Sequence, residues 1–365
     1  MRRQPQVISF PDDPLSAFDE VVDVRSPSEF AEDHVSGAIN LPVLDDAERA
    51  RVGTIYKQVS PFEARKVGAA LVSRNIAGHL EAHFAGKERE YRPLVYCWRG
   101  GQRSGSLALI LAEIGWGVAL VEGGYKAYRA KALATIGEKA AALSCIVLNG
   151  YTGAGKTLLL RELGALGEQV LDLESLASHK GSVFGGNPGS PQPSQKRFES
   201  LLYDRMRTFT ADRPVYLEAE SAKIGRINLP NPLWQRMKVA PVIEIVSPLA
   251  ARAAYLTADY GEWLGDGLRI ARTLDRLKGF HSGQAIAAWK AMAERGEWEP
   301  LVARLLAEHY DRRYSVGGNG HFQAPVVSLD LPAHDAGEVR RCALAIASHG
   351  RLLARGLAAA TPVFE

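Results

Sequence analysis

Short apolar runs alternate with longer amphipathic stretches through most of this chain. Residues 94–96, 118–121 and 146–149 are apolar runs of strand length, and each leads into a turn that contains glycine. Apolar positions then recur at helical spacing, as they do over residues 107–114. Strands of this length that alternate with helices predict parallel sheets of the α/β class.

The second half of the chain repeats this alternation and adds a long helical stretch. Apolar runs at residues 170–173 and 214–220 predict two more strands, and residues 249–316 show helical spacing almost throughout. A strand at 326–331 and a helix at 336–353 close the pattern. The predicted organisation is an N-terminal α/β domain over residues 1–130, a linker helix over 131–142, and a second α/β domain over 143–365 that contains the helical segment 249–316.

The composition is that of an ordinary globular protein and narrows the function little. The 365 residues leave room for two domains, and a net charge of +3 is too small to indicate nucleic-acid binding by itself. The three cysteines form no CxxC pair, which argues against a disulfide framework or a zinc site. No apolar run reaches membrane-spanning length, so we expect a cytoplasmic protein without a membrane anchor, monomeric or weakly oligomeric.

A cysteine stands where the apolar run at residues 94–96 ends. The segment 97–104 reads Cys-Trp-Arg-Gly-Gly-Gln-Arg-Ser and leads into a helix pattern. Backbone N–H groups and the dipole at a helix N-terminus stabilise a thiolate, and two arginines add positive charge. We therefore predict that Cys97 is a nucleophile, with Arg99 and Arg103 as its catalytic partners. The alternative is a buried structural cysteine.

The strand at residues 146–149 leads into a second motif. Residues 150–157 read Gly-Tyr-Thr-Gly-Ala-Gly-Lys-Thr, which matches the P-loop pattern between a strand and a helix. The glycines let backbone N–H groups face a di- or triphosphate, the lysine adds charge, and the threonine offers a hydroxyl to a Mg²⁺ ion. The predicted phosphate-binding residues are Gly150, Gly153, Gly155, Lys156 and Thr157. No other metal site is predicted.

Two carboxylates end the strand predicted at residues 214–220. Glu218 and Glu220 share one face of it, because side chains alternate along a strand. Carboxylates at the end of a strand beside a P-loop commonly hold the water around a bound metal ion. We favour these two over Asp172 as supporting residues of the site; solvated surface acids are the alternative.

A basic stretch separates these strands. From Lys180 to Arg197 the chain contains no acidic residue and many glycines and prolines. We expect a loop that closes over an anion or an RNA backbone, with His179 and Lys180 as supporting residues. A plain disordered loop is the alternative.

Parts of the N-terminal half resemble rhodanese domains. They are residues 97–104 and the upstream segments 23–30 (Asp-Val-Arg-Ser-Pro-Ser-Glu-Phe) and 34–42 (His-Val-Ser-Gly-Ala-Ile-Asn-Leu-Pro). Sulfurtransferases of this fold place four residues between the cysteine and the loop-closing arginine. Here there are five, residues 98–102, as in the phosphatases that share the fold. The resemblance implies a pocket for a phosphate-like group rather than for a bare sulfur atom.

The order of the two motifs extends the resemblance to nearly the whole chain. With Glu-Gly-Gly-Tyr-Lys at 122–126, Asp-Leu-Glu at 172–174 and His-Lys-Gly-Ser at 179–182, the chain is similar to the tRNA 2-selenouridine synthase family. The resemblance implies two steps on the wobble 2-thiouridine of certain tRNAs. The sulfur is geranylated from geranyl diphosphate, and the S-geranyl group is then replaced by selenium from selenophosphate.

The predicted residues suit both implied steps. The P-loop would bind the diphosphate, and Lys156 with a metal ion would stabilise the departing pyrophosphate. Selenophosphate is a phosphate analogue that matches the longer loop. Cys97 would carry the selenium, and Arg99 and Arg103 would bind the selenophosphate oxygens. Candidates for the channel of the geranyl chain are Tyr151, Phe184 and Trp234.

Two other functions stay open at this point. The first is a P-loop kinase or NTPase with a regulatory rhodanese module, since a P-loop most often binds a nucleotide. The second is a phosphatase of the rhodanese fold, which the long cysteine loop favours.

Overall fold

The computed structural model describes residues 4–181, 185, 189, 191–261, 267–313 and 321–356. The chain divides into two compact units, Met1–Thr135 with Pro193–Asp204, and Ile136–Gln192 with Arg205–Glu365. The domain boundaries predicted from the sequence stay a prediction. They assigned residues 193–204 to the second domain, whereas these residues belong to the N-terminal unit.

The N-terminal unit is a parallel five-stranded sheet with helices, as predicted. Its strands are β1 Gln6–Ile8, β2 Glu20–Asp23, β3 Ile39–Asn40, β4 Pro93–Tyr96 and β5 Ala119–Val121, in the order β1-β5-β4-β2-β3. Its helices are α1 Pro14–Ala17, α2 Pro27–Glu32, α3 Asp46–Gln58, α4 Pro61–His79, α5 Gln102–Ile114 and the first part of α6 Gly124–Ala142, with a π-helical turn at Leu80–Phe84. The sequence analysis missed β1, which is short and largely exposed.

Two central strands carry the core of this sheet. All four residues of β4 are buried, and three of the four in β2 are buried, which is typical of parallel strands covered by helices on both faces. Local signals set the helix ends. Ser26 and Glu29 form a capping box at the start of α2, with Pro27 at its first position.

The C-terminal unit contains a second parallel sheet. Its strands are β6 Cys145–Asn149, β7 Gln169–Leu171, β8 Val215–Glu218, β11 Val242–Val246 and β12 Pro325–Asp330, in the order β12-β11-β6-β8-β7, and β9 Lys223–Ile224 pairs with β10 Ile227–Asn228 as a hairpin. The helices are α7 Lys156–Ala165, α8 Leu173–Leu176, α9 Gln195–Arg207, α10 Asn231–Val239, α11 Leu249–Asp259, α12 Gly267–Asp275, α13 Gly283–Glu294, α14 Trp298–Leu305, α15 Asp311–Arg313 and α16 Ala336–Ala354, with a 3₁₀ turn at Arg276–Gly279 and a π-helical turn at Leu306–Tyr310. Helix α9 begins among the residues of the N-terminal unit.

The helical segment predicted at residues 249–316 is present as a series of short helices with its own core. Trp289 lies fully buried at its centre, among side chains such as Leu274, Leu277 and Ile286. Among the residues that the structure describes, no helix has the length and apolar character needed to cross a membrane.

Both candidate motifs lie at the C-terminal ends of parallel strands. Cys97 follows β4, and the P-loop follows β6, which is the central strand of the second sheet. In open α/β sheets this edge is where ligands bind, because loops and helix N-termini converge there. Within each unit, the fold therefore presents its motif where a ligand would be expected.

Candidate functional site

The thiol of Cys97 lies in a turn of backbone between β4 and α5. The side chain is only 4% exposed, and its Sγ accepts hydrogen bonds from the Gly101 N–H at 3.3 Å and from the Ser104 hydroxyl at 3.2 Å. Both donors belong to the N-terminal end of α5, where backbone N–H groups have no partner within the helix. The sulfur is thus held where negative charge is stabilised.

The surroundings of Cys97 shift the pKa of its thiol in the opposite direction from those of the other two cysteines. Burial would raise the pKa of the Cys97 thiol, but the Ser104 hydroxyl and the backbone N–H groups of the loop lower it below its usual value. By contrast, burial in apolar surroundings raises the pKa of Cys145 and of Cys342 to about 11. Cys97 is therefore the one cysteine of the three whose surroundings favour the thiolate.

Two glycines from the end of β5 lie directly beneath the cysteine loop. A Cβ on Gly124 would come within 2.3 Å of the Cys97 carbonyl oxygen and 2.5 Å of the Gly100 nitrogen. This contact lets α6 begin against the loop, where the Tyr125 N–H donates to the Cys97 carbonyl at 2.8 Å. The Gly-Gly pair at 123–124 is thus a packing requirement of the loop, which explains its place in the sequence.

The two arginines of the loop do not behave alike. Arg103 forms a forked pair with Glu29, with Nη1 2.6 Å and Nη2 3.3 Å from the two carboxylate oxygens. Arg99 is exposed on the loop, while its backbone N–H helps to lower the pKa of the Cys97 thiol. The predicted roles of both side chains in binding selenophosphate stay predictions. To bind selenophosphate, the Arg103 guanidinium would have to break or share its hydrogen bonds with Glu29.

A buried ion pair supports the loop from the sheet side. Arg25 donates to both carboxylate oxygens of Asp23 and to the Asp33 carbonyl, and it stacks on the Tyr125 ring at 3.9 Å. The Tyr125 hydroxyl in turn donates to the Asp33 carboxylate at 2.7 Å. Sequence reasoning missed Ser104 and Tyr125 as parts of this site, although both lie inside the motifs that it quoted.

The P-loop in the C-terminal unit has the glycine conformations that the motif requires. Gly150, Gly153 and Gly155 all have positive φ, at 148°, 81° and 85°. A Cβ on Gly150 would meet the Ile245 carbonyl at 2.6 Å, and one on Gly155 would meet the His334 ring at 2.8 Å. These positions therefore exclude larger residues, and α7 starts directly after them at Lys156.

The two polar side chains of the P-loop contact their immediate surroundings. The Lys156 ammonium donates to the Gly150 carbonyl at 2.7 Å and to the Tyr151 carbonyl at 3.4 Å. The Thr157 hydroxyl donates to a Glu174 carboxylate oxygen at 3.5 Å. A bound phosphate group would give the lysine a better acceptor than these carbonyls.

Four carboxyl groups gather beside the P-loop, and their arrangement corrects the sequence-based ranking. β8 ends at Glu218, which is only 2% exposed and accepts the Glu174 N–H at 2.7 Å. Glu218 therefore supports the backbone of α8 rather than facing the P-loop. Glu220 lies beyond the strand and lines the cavity, as do Asp172 and Glu174. Glu174 was missed as a candidate, because its proximity to Thr157 depends on the fold.

Burial and mutual repulsion perturb the acidity of these carboxyl groups. Burial, followed by the charge of Glu220, raises the pKa of Glu174 well above the usual value. Burial also raises the pKa of Glu220, although hydrogen bonding from Glu174 and the charge of Lys156 oppose it. Burial and proximity therefore disfavour ionisation of both carboxyl groups at once.

The cavity above the P-loop has a volume of about 1160 Å³. It is lined by the P-loop, by the carboxylates, by His179 and Lys180, and by apolar side chains that include Leu256, Phe280 and Phe322. The predicted supporting residues His179 and Lys180 thus share a cavity with Lys156 and Thr157. Of the proposed channel residues, Tyr151 and Trp234 are outside the lining, and Phe184 is outside the described residues.

The predicted basic loop is wrong in its C-terminal part. Lys196 and Arg197 belong to α9, where Lys196 pairs with Glu32 at 2.8 Å and Arg197 donates to the His34 carbonyl at 3.0 Å. Lys180 pairs with Asp259 at 2.6 Å. Lys196 and Arg197 therefore lie on a helix of the N-terminal unit rather than in a loop that continues from Lys180.

A Mg²⁺ ion next to Thr157 was expected from the motif. Over the described ranges, no group of three or more His, Cys, Asp or Glu side chains is arranged to hold a metal ion. The nearest carboxylate oxygen to the Thr157 hydroxyl accepts its hydrogen bond, and the neighbouring acids bond to each other. Thr157 and the adjacent Glu174 are the residues that would hold a Mg²⁺ ion together with diphosphate oxygens and water, and we assign no step to it.

Comparison with known proteins agrees with the two motifs. Residues 11–131 match the rhodanese-like domain, and residues 143–273 match the AAA domain of tRNA 2-selenouridine synthase. The tRNA 2-selenouridine synthase of Chromohalobacter salexigens is 36% identical over 320 residues, which are 80% of this chain and 86% of that protein. The enzyme of the same name from Marinobacter nauticus is 37% identical over 323 residues, 80% of this chain and 87% of its own length. The chain therefore belongs to the tRNA 2-selenouridine synthase family.

Proposed function

We propose that this enzyme converts the wobble 2-thiouridine of tRNA to 2-selenouridine in two steps. The observation that carries the proposal is the cavity above the P-loop, which combines a phosphate-binding loop with apolar walls. The P-loop suits the diphosphate head of geranyl diphosphate, and the apolar side chains of the cavity suit its ten-carbon chain. Family membership supports tRNA as the macromolecular substrate.

The first step is S-geranylation in the C-terminal unit. The sulfur of 2-thiouridine attacks C1 of the geranyl chain, the C1–O bond breaks, and pyrophosphate leaves with the electron pair. Backbone N–H groups of the P-loop and the Lys156 ammonium stabilise the charge that grows on the departing oxygens. Leu256, Phe280 and Phe322 supply apolar surface for the chain in the same cavity.

The second step uses Cys97 in the N-terminal unit. The S-geranyl group leaves C2 more readily than the original sulfur, because alkylation turns it into a thiolate leaving group. The selenium of selenophosphate attacks C2, the C2–S bond breaks, and geranyl thiolate leaves. The Cys97 thiolate then attacks the phosphorus, the Se–P bond breaks to leave selenium on C2, and water hydrolyses the phosphocysteine to release phosphate. The lowered pKa of the Cys97 thiol supports this role. The N–H groups around the sulfur also suit the oxygens of a phosphate analogue.

The test is a reconstituted reaction followed by mass spectrometry of the tRNA nucleosides. Purified protein, tRNA with wobble 2-thiouridine and geranyl diphosphate should yield S-geranyl-2-thiouridine, and added selenophosphate should convert it to 2-selenouridine. A reaction that instead requires ATP or GTP and transfers a phosphate group would replace this proposal with the kinase or NTPase function. Release of phosphate from phosphoesters at Cys97, without nucleoside change, would favour the phosphatase.

A further inference from the structure

Three consecutive carbonyl groups at the start of the P-loop accept hydrogen bonds from side chains. The Lys156 ammonium donates to the first two, at residues 150 and 151. The third, the Thr152 carbonyl, accepts a hydrogen bond from Nη1 of Arg252 at 3.2 Å. Arg252 lies on α11, 100 positions further along the chain, so the P-loop motif itself gives no sign of this contact.

The direction of the Thr152 carbonyl also sets the direction of the next N–H group. In a trans peptide, the C=O and the N–H that share the plane point in opposite directions. Arg252 draws the carbonyl to the buried side of the loop, since it is only 4% exposed and lies outside the cavity lining. The Gly153 N–H is thereby directed to the opposite side, where Gly153 lines the cavity. Within the part of the chain that the structure describes, this N–H has no acceptor, so it can donate to a phosphate oxygen.

Close packing holds the same peptide against α11. Gly153 has a φ of 81°, and a Cβ at this position would come within 2.8 Å of Leu256 Cδ1 and 3.2 Å of Arg252 Cβ. The loop therefore lies directly on the helix, with no room for a side chain between them.

A forked ion pair fixes the guanidinium of Arg252. Its Nη1 and Nη2 donate to Oδ1 and Oδ2 of Asp311 at 2.9 and 2.8 Å, and its carbon lies 5.2 Å from the centre of the Tyr151 ring. Two parallel bonds hold a planar guanidinium in one orientation. The second hydrogen of Nη1 then has a fixed direction, and it is the one that bonds the Thr152 carbonyl.

We propose that Arg252 is a positioning residue for diphosphate binding. Held by Asp311, it fixes the Thr152 carbonyl on the buried side of the P-loop and so directs the Gly153 N–H toward the diphosphate. Arg252 itself does not touch the substrate, and no bond forms or breaks in this role. The diphosphate as ligand rests on the proposed function, whereas the contacts of Arg252 do not. The helical segment 249–316 thus contributes to the phosphate site through one side chain on α11 and its partner on α15.

The experiment measures binding of inorganic pyrophosphate and of geranyl diphosphate to the full-length protein with Arg252→Lys. Lysine keeps the positive charge but not the planar fork. We expect both Kd values to rise by about 10- to 100-fold, which corresponds to the loss of one hydrogen bond to a charged group. Arg295→Lys is the matched control, because Arg295 also forms a forked pair, with Glu297, but both side chains are exposed and outside the cavity lining.

A milder variant covers the case in which Arg252→Lys does not fold. Asp311→Asn keeps Arg252 and its partner carbonyl in place and weakens one bond of the fork. Its Kd for inorganic pyrophosphate should rise in the same direction by a smaller factor. An unchanged Kd in Asp311→Asn would show that the fork does not direct the loop.

Two further measurements separate positioning from a purely structural role. In S-geranylation by Arg252→Lys, KM for geranyl diphosphate should rise by the same factor as its Kd, with KM for tRNA unchanged. Partial unfolding would instead lower kcat, because fewer molecules are active, and leave both KM values unchanged. In Arg252→Ala, added ethylguanidinium should restore part of the pyrophosphate affinity and ethylammonium should not, since only a guanidinium bonds Asp311 and Thr152 in one plane.

The outcomes are distinguishable from failure of the proposed function. If the wild-type protein binds neither inorganic pyrophosphate nor geranyl diphosphate, the proposed function fails and this inference fails with it. If the wild-type protein binds both and Arg252→Lys has the same affinities as Arg295→Lys, only the positioning role is overturned. Equal rescue of Arg252→Ala by ethylammonium would also overturn it, because positive charge rather than the direction of the hydrogen bond would then be what the site requires.

Discussion

The Ser104 hydroxyl is among the groups that lower the pKa of Cys97, and the substitution Ser104→Ala removes it. The Ser104 hydroxyl donates to the Cys97 sulfur at 3.2 Å, while the Gly101 N–H donates at 3.3 Å and is unaffected by the change. A hydrogen bond to a charged group contributes about 1.5–3 kcal/mol. At 1.36 kcal/mol per pKa unit, loss of the hydroxyl should raise the pKa of the thiol by about 1–2 units.

The measurement is the rate of Cys97 alkylation by iodoacetamide as a function of pH. Only the thiolate reacts, so the midpoint of the profile reports the pKa of the thiol. The profile of the variant should move to higher pH, and at neutral pH less thiolate should remain. The other two cysteines should contribute little, because they are buried and their pKa values are raised to about 11.

Ser106→Ala is the matched control for this experiment. Ser106 lies on the same helix, is partly buried, and donates to the Gln102 carbonyl rather than to the sulfur. Its alkylation profile should coincide with that of the wild-type protein. An unchanged midpoint in a correctly folded Ser104→Ala protein would refute the idea that this hydroxyl stabilises the thiolate, and the lowered pKa would then have to come from the backbone alone.

Two further substitutions test which site carries out which step, and a third tests the packing of the cysteine loop. Cys97→Ser should abolish selenation while S-geranyl-2-thiouridine accumulates in the nucleoside profile; loss of both products would show that geranylation also needs the thiol. Lys156→Ala should slow geranylation by roughly 30- to 1000-fold, since one such contact to a developing charge contributes about 2–4 kcal/mol, yet it should still selenate tRNA supplied already geranylated. Gly124→Ala, at φ 57° with its Cβ 2.3 Å from the Cys97 carbonyl, should destabilise the fold by at least about 1 kcal/mol in thermal unfolding, whereas Gly137→Ala, with no atom near its Cβ, should not.

Features of the chain that depend on neighbouring residues were predicted well from the sequence. The Cys97 loop and the P-loop are contiguous segments between a strand and a helix, and the glycines of each mark positions that require positive φ or close approach. The parallel α/β class also followed from the alternation of apolar runs and helical spacing. Where the local signal was weak, as in the three exposed residues of β1, the prediction missed the element.

Only the tertiary structure decided which side chains share a site. Arg103 was expected to bind a substrate anion, but the fold brings Glu29 to it from 74 positions away. Glu218 and Glu220 looked equivalent along a strand. The strand ends at Glu218, so one carboxylate is buried beneath α8 and the other reaches the cavity. The local sequence pattern specifies the backbone conformation of a motif. The charged side chains that contact the motif come from segments distant in sequence, and they reach it only when the sheet is assembled.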